Sequence, residues 1–164
     1  MESKLEYYIG MPDFTSVEAK NNKKVSLLIS ENRNKEAYDI LFKMLKSNNE
    51  ENFNDKKTRY ILIRIAHLYI NSEMWEDALN IFVKIMKYTN SVGNPLLHLR
   101  IGQIGFELKE QNIYEDNLAR ALIMGELKIF EGENDILKNI ALKILKPPAG
   151  GWEKYDGQDW LSTK

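Results

Sequence analysis

The sequence predicts an all-α protein. Apolar residues recur three and four apart through long stretches, and no region alternates with period two long enough to make a strand. The four prolines, Pro12, Pro95, Pro147 and Pro148, all fall outside strongly periodic segments, as helix interiors require. Seven helices follow. The first covers residues 15–30, with Pro12-Asp13 as its start signal. The second, 35–46, gathers Ala37, Ile40, Leu41, Met44 and Leu45 on one face, and the polar stretch 48–54 after it reads as a loop. A third helix spans 55–71 and a fourth 74–89. Residues 90–95 break the pattern, with Pro95 suited to the first turn of a fifth helix over 95–108. A sixth covers 114–129, residues 131–134 turn, and a seventh ends at Lys146, where Pro147-Pro148 stops it.

Composition narrows the function classes. The 164 residues are enough for one domain with a tail: residues 1–146 as the helical domain and 147–164 as a Pro/Gly-led aromatic tail. Lys and Arg number 23 against 24 Asp and Glu, a net charge of −1, so no nucleic-acid partner is expected to be held by bulk charge. Cysteine is absent, which excludes disulfides, thiolate metal sites and a Cys nucleophile. With two histidines, no metal centre or other cofactor is expected. The first residues interleave charge with apolar groups, unlike a signal peptide, and Arg64 and His67 interrupt the most apolar stretch, 60–70. No membrane association is therefore expected, and the location expected is cytoplasmic. Lys outnumbers Arg 18 to 5, with 16 Asn and 17 Ile, a bias of AT-rich coding that points to a microbial source.

The chain repeats itself. Residues 63–68 align with 99–104 at an offset of 36, and 75–79 align with 114–118 at an offset of 39. A weaker copy of the second segment lies at 34–38, about 41 residues earlier. The unit is a helix pair that needs a small residue at a close approach, Ala66 and then Gly102, and a single pair cannot bury its own apolar faces. Leu62, Ile65, Ala66, Tyr69, Ala78, Phe82 and Ile85 carry a large–large–small–aromatic order followed by small–aromatic–apolar. In these residues the chain resembles the tetratricopeptide repeat. The match is good over 59–90, fair over 95–124, thin before Lys46 and gone after Ile129. Gly105 stands where the family has an aromatic, Ala121 where the first copy has Phe82, and about three extra residues separate the second pair. The resemblance implies a stack of antiparallel helix hairpins with distorted geometry.

The third helix is apolar nearly all round, except for Arg64, His67 and Asn71, which share one face. Arg100, Gln103 and Glu107 repeat that row 36 residues on. Stacked pairs would set the rows side by side, and with Tyr60, Leu96 and Phe106 they would line the inner wall. The resemblance implies that this wall binds a peptide or partner domain; the alternative is that the row is merely the wet edge of two core helices. Trp152, Tyr155 and Trp160 crowd three aromatics into nine residues of the tail. They read as a cap over the last helix pair, or else as a partner-binding peptide.

No catalytic constellation is indicated. There is no Gly-rich phosphate loop, nucleophile elbow or metal-ligand spacing. His98, set among Leu96, Leu97 and Leu99, reads as a structurally paired histidine. Glu76-Asp77 and Glu115-Asp116 read as acids at helix starts, where the dipole favours them. The expectation is a non-enzymatic module that holds another protein. Small cysteine-free, neutral-to-acidic chains of this kind resemble the immunity proteins that neutralise polymorphic or contact-dependent bacterial toxins. A chaperone or adaptor for a client peptide, or a small regulatory sensor, are the alternatives.

Overall fold

The computed structural model describes residues 2–48, 52–147 and 150–152. The described residues form eight α-helices and a 3-10 turn, with no strand, so the protein is all-α. The helices are α1 (Glu2–Ile9), α2 (Ser16–Ser30), α3 (Asn34–Lys46), α4 (Lys56–Asn71), α5 (Trp75–Ile85), α6 (Pro95–Glu107), α7 (Gln111–Gly125) and α8 (Asp135–Ile144). The 3-10 turn Leu127–Phe130 follows α7. The chain divides into two compact units: residues 9–92 form one, and residues up to 8 with those from 93 onward form the other.

Helices α2 to α8 are the seven that periodicity predicts. Their ends are set by local chemistry. Thr15 caps α2 in a reciprocal box with Glu18, two residues beyond the expected Pro12-Asp13 signal. Asp55 accepts the backbone N–H groups of Lys57 and Thr58 at the start of α4. Asn94 does the same for Leu96 and Leu97 at α6, with Pro95 in the first turn as expected. The helix over 74–89 proves shorter, because the chain leaves α5 at Ile85 through successive tight turns. Those turns bury Tyr88 edge-on against Phe53 and let the Thr89 N–H donate to the Phe53 carbonyl.

Helix α1 escapes the periodicity. Only Leu5 of its described side chains is fully buried, and eight residues are too few to hold a helix by propensity. Tertiary bonds hold it instead. The Lys4 ammonium donates to the Ile129 carbonyl and to Glu133, each at 2.7 Å, and the Asn94 amide donates to the Tyr8 carbonyl at 2.6 Å.

Three hairpins, α2–α3, α4–α5 and α6–α7, close with the same three-residue turn. In each the middle residue lies in the left-handed region: Asn32 at φ 57°, Glu73 at 56° and Lys109 at 61°. In each the third residue's N–H reaches the carbonyl five residues back: Arg33 to Leu28, Met74 to Tyr69, Glu110 to Gly105. So short a connection between packed helices makes each pair antiparallel. The turns place Ala37, Ala78 and Tyr114 in equivalent positions, as they do Leu41, Phe82 and Leu118. The second alignment expected above is therefore out of register. The offset is 36 for both helices of the α6–α7 pair, and no extra residues separate them.

That correction explains Gly105. Where α4 has Tyr69 and α5 has Ala78, α6 has Gly105 and α7 has Tyr114, so large and small exchange sides. A Cβ on Gly105 would stand 2.9 Å from the Tyr114 backbone nitrogen and 2.7 Å from Ile113 Cγ2. At Gly102 it would meet Leu118 Cγ and Cδ2 at 2.7 Å. Glycine at both positions lets α6 and α7 approach more closely than side chains would allow.

In the unit of residues 9–92, α4 packs against both α3 and α5, which is why its surface is apolar nearly all round. Val25, Leu28, Ala37, Leu41, Ile61, Ile63, Ala66, Phe82 and Ile85 fill that core. In the other unit α7 lies against α6 and α8, around Leu97, Leu99, Ile104, Leu118, Leu122, Leu137 and Ala141.

Candidate functional site

The polar row of α4 faces inward. Arg64 is only 3% exposed. Its guanidinium donates to the Asn22 side-chain oxygen and backbone carbonyl and to Ser26 Oγ, so α2 supplies the acceptors that burial demands. His67 is buried with its ring edge toward Phe82. Tyr60 is buried edge-to-face against Phe14. Asn71, at the C-terminus of α4, is exposed. The row of α6 lies in the other unit and divides in the same way. Arg100 is buried in a two-pronged pair with Glu133, at 2.7 and 2.9 Å, and also donates to Gln103. Leu96 is buried. Gln103 and Phe106 are half-buried, the latter against Tyr114, and Glu107 is exposed.

The expectation that these rows form a ready docking wall is thus corrected at Tyr60, Arg64, His67 and Arg100. All four side chains are buried inside their own units. The reason is that a helix packed on several sides brings charge inward wherever a neighbour offers acceptors, which single-helix periodicity does not reveal. Asn71, Gln103, Phe106 and Glu107 keep accessible surface. In the tail, Trp152 is half-buried, while Tyr155 and Trp160 lie outside the described residues.

The open aromatic surface lies elsewhere in the unit of residues 9–92. A cavity of about 380 Å³ opens where the start of α3 meets the α4–α5 turn. Asn34, Lys35, Tyr38, Leu68, Tyr69, Ser72 and Met74 line it. The α4–α5 turn projects Met74 outward, and α3 presents Tyr38 and, one turn on, Phe42 stacked on it at 5.8 Å. Met74 and Phe42 remain exposed. The Tyr38 and Tyr69 hydroxyls stand 3.5 Å apart, and Asn34 reaches Ser72 at the same distance across the rim. The Tyr38 hydroxyl, together with burial, pushes the Tyr69 phenol up to about 12, so it stays protonated and able to donate through the physiological range.

Sequence reasoning missed this site. Tyr38 was visible as the last residue of the repeated 34–38 segment, and Tyr69 as the family's packing aromatic. Neither position signals a cavity, because the opening depends on how the turn beside Met74 sits over α3.

The remaining candidates resolve into structure. His98 Nδ1 lies 2.8 Å from the Asn117 side-chain oxygen, the structural pairing expected of it. Glu76 and Asp77 do occupy the first turn of α5. Glu115 and Asp116 do not open α7, which begins at Gln111; they bond Gln111 and Arg120 along the helix surface. Among the described residues no three His, Asp or Glu side chains are grouped to hold a metal, and no helix is long and apolar enough to cross a membrane. No family model matches the chain, and no curated protein or solved structure matches it either.

Proposed function

We propose that this chain is a non-enzymatic protein-binding module of tetratricopeptide-like build, and that its partner is a bacterial toxin domain which it neutralises in the cytoplasm. The cavity between Tyr38, Tyr69 and Met74 carries the binding reading. Its volume of about 380 Å³ suits a cluster of large apolar side chains of a partner, and Tyr38, Tyr69 and Met74 in its lining are of types enriched at interfaces. The resemblance to immunity proteins supports the choice of partner. The second reading is an adaptor for a linear client peptide, favoured by the position of the cavity between consecutive hairpins.

The test is co-expression with the C-terminal domain of a large secreted protein encoded beside this gene. Growth should be rescued, and the two chains should co-purify in equal amounts. Replacing Tyr69 with Ala and Met74 with Asp together should weaken the complex by about thirtyfold, the scale of a lost hot spot, at an unchanged helical spectrum. Unchanged affinity would remove the cavity from the interface. Absence of rescue with any neighbouring toxin would leave the client-peptide reading in place of the immunity one.

A further inference from the structure

The three buried arginines of the described chain are not treated alike. Arg100 meets the Glu133 carboxylate, and Arg64 meets the oxygens of Asn22 and Ser26. Arg59 is 7% exposed, yet among the described residues its guanidinium makes one hydrogen bond, from Nη1 to the Thr89 carbonyl at 2.7 Å. Its Nε–H is buried with no acceptor among the described residues. A guanidinium presents five N–H donors and keeps its charge when buried, so this arrangement is costly as it stands. Burial pulls the Arg59 pKa below its usual value, and among the described residues no carboxylate opposes that pull.

The side chain lines a second, narrower cavity in the same unit, of about 40 Å³, between the start of α4 and the turns after α5. Phe53 and Tyr88 contribute aromatic rings to its lining, and Asn54 and Lys56 polar groups. Asp55 also borders it, but its two oxygens are occupied by Lys57 N–H, Thr58 N–H and the Thr58 hydroxyl. A water needs roughly 10–15 Å³ of such space, so the cavity has room for about three small heavy atoms. That is the size of a carboxylate group and less than a phosphate requires.

We propose that Arg59 is the anchor of a carboxylate-binding site, which takes the planar, two-oxygen group that a guanidinium fork matches. The carboxylate comes from an acidic side chain of a bound partner, from a partner's chain end, or from a small free acid. The site does not depend on the Tyr38–Tyr69 cavity, so failure of one reading leaves the other standing.

The experiment follows the Arg59 Nε–Hε resonance in the ¹⁵N-labelled full chain, assigned by its disappearance in R59M. Acetate should move that resonance saturably, with sodium chloride at matched ionic strength as the control. Acetate should also raise the melting temperature of the native chain and not that of R59M. Two short peptides then distinguish the sources: one with blocked ends and a single Glu, the other with a free C-terminus and no acid. Saturation by either assigns the carboxylate to a protein; saturation by acetate alone assigns it to a small acid. No saturable response to acetate, or an equal response to chloride, overturns the proposal. So does a response to phosphate in place of acetate. Should R59M fail to fold, through-bond correlation from the Arg59 backbone to its Nε–Hε supplies the assignment in the native chain, and the native-chain titration then decides the matter.

Discussion

Glu133 shows how one side chain can organise a unit. Burial alone pushes its carboxyl pKa up, but bonds from Arg100 and then Lys4 outweigh that and hold it below the ordinary glutamate value. Its depressed folded value means the stabilisation is fully present above the unfolded glutamate pKa and is lost as pH falls through the lower, folded one. Glu133→Gln should destabilise the chain by about 3 kcal/mol at pH 7, because it leaves Arg100 buried against a neutral amide. It should also flatten the acid limb of stability against pH, measured by urea denaturation from neutrality downward. Tyr69 works in the opposite direction. Its folded pKa of about 12 stands above the unfolded value, so its contribution is intact below the unfolded tyrosine pKa and is lost as pH rises toward 12. Spectrophotometric titration should show a late-ionising tyrosine that Tyr38→Phe brings to lower pH and Tyr69→Phe removes. A native chain whose tyrosines all titrate together would refute the Tyr38–Tyr69 coupling.

At the scale of the element, the hairpin is the unit that repeats, and its turn is more faithful than its packing. The turns at Asn32, Glu73 and Lys109 have one geometry, whereas the residues between the helices differ from pair to pair. The α6–α7 pair is the closest, because Gly102 and Gly105 remove the side chains that would separate it. Gly105→Ala should destabilise more than Gly102→Ala. The first sets a methyl against a backbone nitrogen that cannot step aside, the second mainly against the Leu118 side chain, which has other rotamers. Overpacking of this kind costs about 1–3 kcal/mol, and thermal melts of the two variants should rank them in that order. The existence of α2 to α8 was legible in the spacing of apolar residues, as were the ends of α2, α3, α4 and α6 to within a residue; α1 and the ends of α5 and α7 were not. The register of α7 was lost because the acidic pairs Glu76-Asp77 and Glu115-Asp116 look alike in sequence while sitting one turn apart in the hairpin. The turn residue at Glu73 or Lys109 carries no Gly or Asn to mark it, so the offset of 36 visible in the first helices was not carried over to the second.

At the scale of the whole molecule, charge balance and an apolar cavity make one statement about binding. With a net charge of −1, long-range steering of the proposed partner would be weak, and contacts through Tyr38, Tyr69 and Met74 would be insensitive to salt. Partner affinity should change by no more than about threefold between low and high salt, measured calorimetrically. A steep fall would place the interface on charged surface instead. The sequence by itself determined the all-α class, the seven long helices and the repeating pair, since each follows from spacing along a single chain. Only the tertiary structure decided which polar residues are spent inside and which surface stays open. Arg64 and Arg100 are buried because Asn22 and Glu133, far away along the chain, offer acceptors. Arg59 meets a carbonyl and lines a narrow recess. Whether a charge faces water or the interior is settled by the neighbour across from it, and that neighbour is a property of the fold.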